Sequence, residues 1–157
     1  MYLLNLSDGK KLPASIERLV NAELKKITKN RYSFNWKLEA GYTIYKISTE
    51  DSLDILGLMS IQYFDREQRM HVRLLAVSAE NIGENKMIER IAGNLFAFAA
   101  RLALKKYGAT AAISLVPKTV LAQHYMDKYG FEQAGISLFI EGAKLIDLLN
   151  KYYYDKK

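Results

Sequence analysis

Hydrophobic positions along the chain change period several times, and each change predicts an element. Between residues 13 and 28, Ile16, Leu19, Val20, Leu24 and Ile27 recur at spacings near three and four, with Glu23 as a polar intruder. That is the period of one helix face, so a first helix is expected, with Lys25, Lys26 and Lys29 near its C-terminal end where cations suit the dipole. Residues 32–48 are rich in aromatic and β-branched side chains (Phe34, Trp36, Tyr42, Ile44, Tyr45, Ile47) and fit two strands around Gly41, or one strand with a bend. Further strands are expected at 55–63 and 70–78, paired as an antiparallel hairpin across the turn at 65–68. A polar loop, 79–86, leads to a helix over 87–106 that buries Ile88, Ile91, Ala92, Leu95, Phe96, Ala99 and Leu102 and closes at Gly108. The uninterrupted apolar run 111–116 predicts a buried strand. A helix over 119–129, with Thr119 as N-cap and Gly130 past its end, comes next. A strand over 131–140, broken near Gly135, and an amphipathic helix over 143–154 complete the chain.

This order predicts an α/β (α+β) protein in which a mixed, mostly antiparallel sheet is flanked by helices. The strand–helix–strand unit at 72–116 should make a right-handed crossover between parallel strands. The 157 residues suit one domain, and no repeat or Pro/Gly linker divides them. With no cysteine in the sequence, disulfides, a thiol nucleophile and cysteine-ligated metal are excluded. Two histidines, His71 and His124, give little basis for a histidine-rich metal site, so no metal is expected. The most apolar stretch, 91–104, carries Asn94 and Arg101 and is too short to span a bilayer. The first eleven residues lack the pattern of a secretory signal. The expectation is a cytoplasmic protein without a membrane partner.

Formal charge is +6, from 23 Lys and Arg against 17 Asp and Glu. A basic balance suits a polyanion, whether nucleic acid or a phosphorylated cofactor. The lysines are spread over the chain and no segment interleaves arginine with aromatics, so a basic nucleic-acid-binding domain is the less favoured reading. Eleven tyrosines, including the run at 152–154, could support a homodimer contact or line a partly exposed helix.

One segment narrows the class. Residues 116–131 read VPKTVLAQHYMDKYGF. This resembles the GNAT superfamily, the acyl-CoA-dependent N-acetyltransferases, whose members commonly end a strand and continue with Asn, then Ala three positions on, then Tyr, Lys and Gly-Phe. Here Thr119 stands at the Asn place, Ala122 at the Ala place, and Lys128, Gly130 and Phe131 complete the ending. The resemblance extends over roughly 55–140.

It implies acetyl-CoA as cosubstrate and direct transfer of its acetyl group to an amine, on a small molecule or a protein. It also implies that backbone N–H groups of the strand before the loop, at Leu75, Ala76 and Val77, stabilise the oxyanion. In the family a Gly-rich loop cradles the pyrophosphate at a helix N-terminus, where orphan donors and the dipole attract an anion. This sequence departs from that loop. Counting from the strand places Gly83, Asn85, Lys86 and Met87 there, and counting back from Gly108 places Arg90 and Gly93 there; the first frame is favoured. The family's leaving-group acid is a Tyr at the position held here by Met126, so its neighbour Tyr125 is the candidate. His71 and Glu80 are candidates for the general base, each weighed against a structural role. Glu39 could serve, but nothing in the sequence places it, and Ser78 and Ser114 could orient a water. A non-catalytic GNAT-like acyl-CoA-binding module is the alternative that Met126 and the irregular loop motivate.

Overall fold

The N-terminal third folds by alternation, not by the helical period read from it. In the computed structural model, which describes residues 1–154, strand β2 (Lys11–Arg18) lies antiparallel to β1 (Tyr2–Asn5) and to β3 (Thr43–Thr49). Leu12, Ala14 and Ile16, two apart, all pack into the main core, and this period of two prevails because both neighbours of β2 come from other parts of the chain. Pro13, without an N–H, stands opposite Tyr2 at the start of the short β1, where a missing ladder bond is tolerated. The expected first helix is thus replaced by a strand and two single turns, α1 (Asn21–Leu24) and α2 (Lys29–Tyr32).

Residues 34–38, expected as strand, instead lead into a 3-10 turn at Trp36–Glu39. Trp36 is 1% exposed, and its indole N–H donates to the Tyr32 carbonyl at 2.9 Å. With Leu24, Ile27 and Tyr32 it plugs one face of the sheet over Ile44, Leu58 and Ala76. The aromatic richness read as β-propensity serves this plug.

The remaining elements are β4 (Gly57–Phe64), β5 (Arg69–Val77), β6 (Ile88–Glu89), α3 (Ile91–Tyr107), β7 (Ala112–Leu115), α4 (Thr119–Tyr129), β8 (Glu132–Ala134), β9 (Ser137–Glu141) and α5 (Ala143–Leu148), which runs on into a π turn at Leu149–Tyr153. The sheet order is β6-β1-β2-β3-β4-β5-β7-β9-β8, and among the described residues only β5 and β7 are parallel neighbours. The mixed, mostly antiparallel sheet is therefore present, with α1 and α2 on one face and α3 on the other. Along α3, Ala97, Ala99, Ala100 and Ala103 are fully buried, and these small side chains let the helix lie close on the sheet.

Two helix starts differ from expectation. α3 begins at Ile91, because the side-chain carbonyl of Asn81 accepts the N–H groups of Met87 (3.3 Å) and Ile88 (2.9 Å) and so diverts Ile88 and Glu89 into β6, paired with β1. Thr119 is the first residue of α4; Lys118 holds the cap position and makes no side-chain capping bond. Gly130 closes α4 as expected, in the left-handed region (φ 82°) with its N–H on the Met126 carbonyl at 3.1 Å. Among the described residues no helix is long and apolar enough to cross a membrane.

Candidate active site

β5 pairs with β4 along its whole length but with β7 only from Arg69 to Val72. Beyond Val72 the edge of β5 facing β7 is open. The fork coincides with a bulge: Ile61 faces Val72 and Ser60 faces Leu74, so Arg73 is the extra residue. Ser78 donates its N–H to the Leu56 carbonyl on the β4 side at 2.9 Å. Alternation then turns the N–H groups of Leu75 and Val77 toward the open edge and that of Ala76 into the β4 ladder. Two of the three backbone donors expected for the oxyanion thus face the fork. Ala76 instead buries its side chain under the α1–α2 plug.

A polar group stands at the fork on the α2 face. Met70 and Val72 pack toward α3, so His71 projects from the other side. Its Nδ1 lies 2.9 Å from Ser114 Oγ, which also accepts from Arg69 Nη1 at 2.7 Å. With two lone pairs, Ser114 Oγ can accept from both, and Nε2 of neutral His71 is then available as a base. Burial, then the charges of Arg69 and Arg73, push the His71 pKa below its usual value. Arg73 donates through Nε to Glu39 Oε1 (2.9 Å) and through Nη1 to Gln62 Oε1 (3.2 Å), and lies 3.6 Å over the Tyr42 ring. Glu39, only 5% exposed, also accepts from Ser60 Oγ at 2.7 Å. Burial raises its pKa, but the hydrogen bonds from Arg73 and Ser60 outweigh that and hold the carboxyl below its usual range. Glu39 therefore fixes the bulge residue from the segment after α2, a role invisible in sequence because the bulge arises only from the β4–β5 register. Glu39→Gln keeps an oxygen for Ser60 but leaves Arg73 without its counter-ion. It should cost about 1–3 kcal/mol of stability, read by urea denaturation.

Tyr125 stands on the opposite, α3 face. Its ring meets Phe96 edge-on at 5.3 Å, in an aromatic group with Tyr129 and Phe131. Burial raises its pKa, so the phenol stays protonated and able to donate. Met126 and Ala122, on the same helix, pack half-buried against this core, while Thr119 and His124 are exposed.

The segment between β5 and α3 separates the remaining candidates. Glu80 is held by Arg31, which binds it at 2.5 Å and Asp54 at 2.8 Å; hydrogen bonds from Arg31 lower its pKa. It serves as an anchor for α2, not as part of the fork. Gly83 (φ 85°), Asn85 and Met87 form an exposed excursion, and Lys86 pairs with Glu89 at 3.1 Å. The helix N-terminus lies past them. There Asn94 N–H makes the first α3 bond to the Arg90 carbonyl (3.0 Å), so Ile91, Ala92 and Gly93 have donors with no acceptor inside the helix. Arg90, itself left-handed (φ 78°), binds the carbonyls of Tyr2 (3.2 Å) and Lys151 (3.0 Å). A Cβ at Gly93 would fall 2.2 Å from the Tyr152 ring, so the C-terminal turn sits against the first turn of α3. The open edge of β5 leaves the outward N–H groups of Leu75 and Val77 without a strand partner. Among the described residues no cluster of side chains could hold a metal.

No protein-family model matches the sequence, nor does any curated protein. Solved structures do. A spermidine N-acetyltransferase chimera built on the Vibrio cholerae enzyme superposes with a TM-score of 0.64 at 11% identity, over 85% of this chain and 98% of that one. The ribosomal-protein-S18-alanine N-acetyltransferase of Escherichia coli gives 0.58 at 13% identity, over 80% and 90%. A Bacillus subtilis acetyltransferase in complex with CoA gives 0.56 at 16%, over 83% and 99%. The chain has the GNAT fold.

Proposed function

We propose that this protein is an N-acetyltransferase that moves the acetyl group of acetyl-CoA to an amine by direct attack on the thioester. The fork at Arg73 is the observation that carries the reading, since it opens backbone donors on the strand that also bears His71; Tyr125, on the α3 face, is the proton donor the reading calls for. His71 Nε2 takes a proton from the acceptor ammonium through intervening water, since four residues of strand, about 13 Å, lie between it and Leu75, and the amine nitrogen forms its bond to the thioester carbonyl carbon. The oxyanion that develops is met by a backbone N–H of Leu75 or Val77. When the intermediate collapses, the C–S bond breaks and the leaving thiolate takes the Tyr125 proton, while the proton still on the amide nitrogen is lost and restores the phenol. A CoA diphosphate would meet the first turn of α3 at Ala92, because Ile91 is buried and Gly93 lies beneath the Tyr152 ring. Two of the structures it resembles are named as N-acetyltransferases of spermidine and of ribosomal-protein-S18 alanine, and a small or protein amine is the acceptor class carried over here.

Turnover of acetyl-CoA against a panel of such amines tests the reading. Tyr125→Phe should keep the ring packing on Phe96 and lower kcat about 10²-fold. A second reading, a GNAT-like module that binds acyl-CoA without turnover, is favoured by the packing of Tyr125 among aromatic rings. Saturable acetyl-CoA binding with no turnover on any amine would select it.

A further inference from the structure

The chain after α2 carries a strained turn that the acetyl-transfer chemistry does not use. Ser33 has φ 72° and ψ −59°, and the Phe34 N–H donates to the Tyr32 carbonyl at 2.9 Å. This is a γ-turn of the rare, strained kind, at a residue that has a side chain. It persists because both neighbours are fixed. The same carbonyl accepts from the Trp36 indole, and the Tyr32 hydroxyl donates to the Ile55 carbonyl at 2.7 Å. Tyr32 and Trp36 are buried, whereas Phe34 between them is only half-buried. The turn thus leaves one ring at the surface of a packed plug.

That ring meets the other side of the fork. Phe34 packs against the plug that covers Leu58 and Ala76, on the β4 and β5 side. Lys118 follows β7, and its ammonium lies 4.9 Å from the centre of the Phe34 ring. The pair therefore spans the gap between β5 and β7 on the face that bears His71. The carboxylates bonded to residues of the fork are already engaged, Glu39 by Arg73 at 2.9 Å and Glu67 by Arg69. Lys118 is exposed and has no carboxylate within ion-pair distance among the described residues. At an exposed site its attraction to the ring is weak and leaves the ammonium able to pair with an anion.

We propose that Phe34 and Lys118 select the acceptor, and that this acceptor is an amine that also carries a carboxylate on an apolar body. The inference rests on the acetyl-transfer reading of the fork and names the acceptor class for it. The carboxylate pairs with Lys118, and the apolar body lies on the Phe34 ring. A polyamine is disfavoured, because its second ammonium would meet Lys118, Arg69 and Arg73, while Glu39 and Glu67 are held by the arginines. The strained turn has a use in this arrangement: it fixes the ring on which both the ammonium and the acceptor rest.

The test compares L-phenylalanine with L-phenylalaninamide, which lacks the negative charge. Their ratio of kcat/KM for acetyl transfer is measured in the parent protein and in Lys118→Gln, so that the different basicities of the two amines cancel. The ratio of acid to amide should fall about fivefold in the variant, the worth of one exposed ion pair. Lys118→Glu should lower it further. Lys105→Gln, which removes the same charge from an exposed position on α3, should leave it unchanged. Phe34→Ser should raise KM for phenylalanine but not for glycine, and equal effects on both overturn the role of the ring. Spermidine should be a poorer acceptor than phenylalanine in the parent. A ratio that Lys118→Gln does not move, or a preference for spermidine, overturns the acceptor class and leaves acetyl transfer standing. Turnover of no amine at all would instead remove the acetyl-transfer reading. Titration of the acid and the amide followed by NMR then reads the site by itself. A preference for the acid that Lys118→Gln abolishes supports the proposal, and equal affinities, or a preference that survives the substitution, overturn it.

Discussion

Replacing His71 with glutamine should lower kcat/KM for acetyl transfer by about 10²–10⁴-fold, the usual contribution of a positioned general base. The amide can keep a hydrogen bond to Ser114 Oγ, so folding should be nearly unaffected and the loss should lie in the chemistry. The pH profile carries the stronger signature. A base works in its unprotonated form, and burial with the Arg69 and Arg73 charges lowers the His71 pKa. The acid limb of the parent profile should therefore fall below the ordinary histidine value of about 6.5. Arg69→Met removes one of the two repelling cations, so His71 protonates more readily and the limb should move upward in pH. A profile indifferent to both substitutions would show that another group, or water, takes the proton.

His71 could be picked out from sequence as the one histidine on a strand of the expected hairpin. Its surroundings could not. Arg73 and Ser60 meet Glu39 only because a one-residue slip between β4 and β5 creates a bulge, and a slip leaves no mark on hydrophobic alternation. Ser114 reaches His71 through the parallel β5–β7 register, set by an intervening helix of 17 residues. The second half of the fold was more legible, because its helices are amphipathic and end on glycines: Gly108 and Gly130 both have positive φ where the helix period stops.

The first third departs from the expected helix because two periods coexist there. Ile16 belongs both to the alternating set of Leu12, Ala14 and Ile16 and to the helical set that continues with Leu19 and Val20. Only the remote β3, which pairs Ile47 with Ile16, decides between them. The helix after the loop at 79–86 starts at Ile91, about one turn later than its apolar period predicts, for a similar reason. Gly83 and Asn85 are good loop formers, yet the buried Asn81 side chain holds the chain in a further short strand before the helix can start.

The C-terminal tyrosines divide in a way that makes the second large prediction. Tyr154 is 58% exposed, but Tyr152 is only 2% exposed and lies in the core between Gly93, Tyr129 and Arg90. It is spent within the chain and offers no ring to a dimer contact. Tyr152→Ala should cost about 3–5 kcal/mol, the range for truncating a buried aromatic, measured by urea or thermal unfolding. The same ring explains the glycine it covers. In the parent protein, Gly93→Ala should destabilise by about 1–3 kcal/mol, because the added Cβ meets the Tyr152 ring. In the Tyr152→Ala background the clash is gone, and the methyl group enters the space the ring has left. Alanine is also favoured over glycine in a helix by about 1 kcal/mol, so there Gly93→Ala should stabilise. This change of sign across the double-mutant cycle reports the contact itself. The same sign in both backgrounds would mean that the C-terminal turn does not pack on the start of α3.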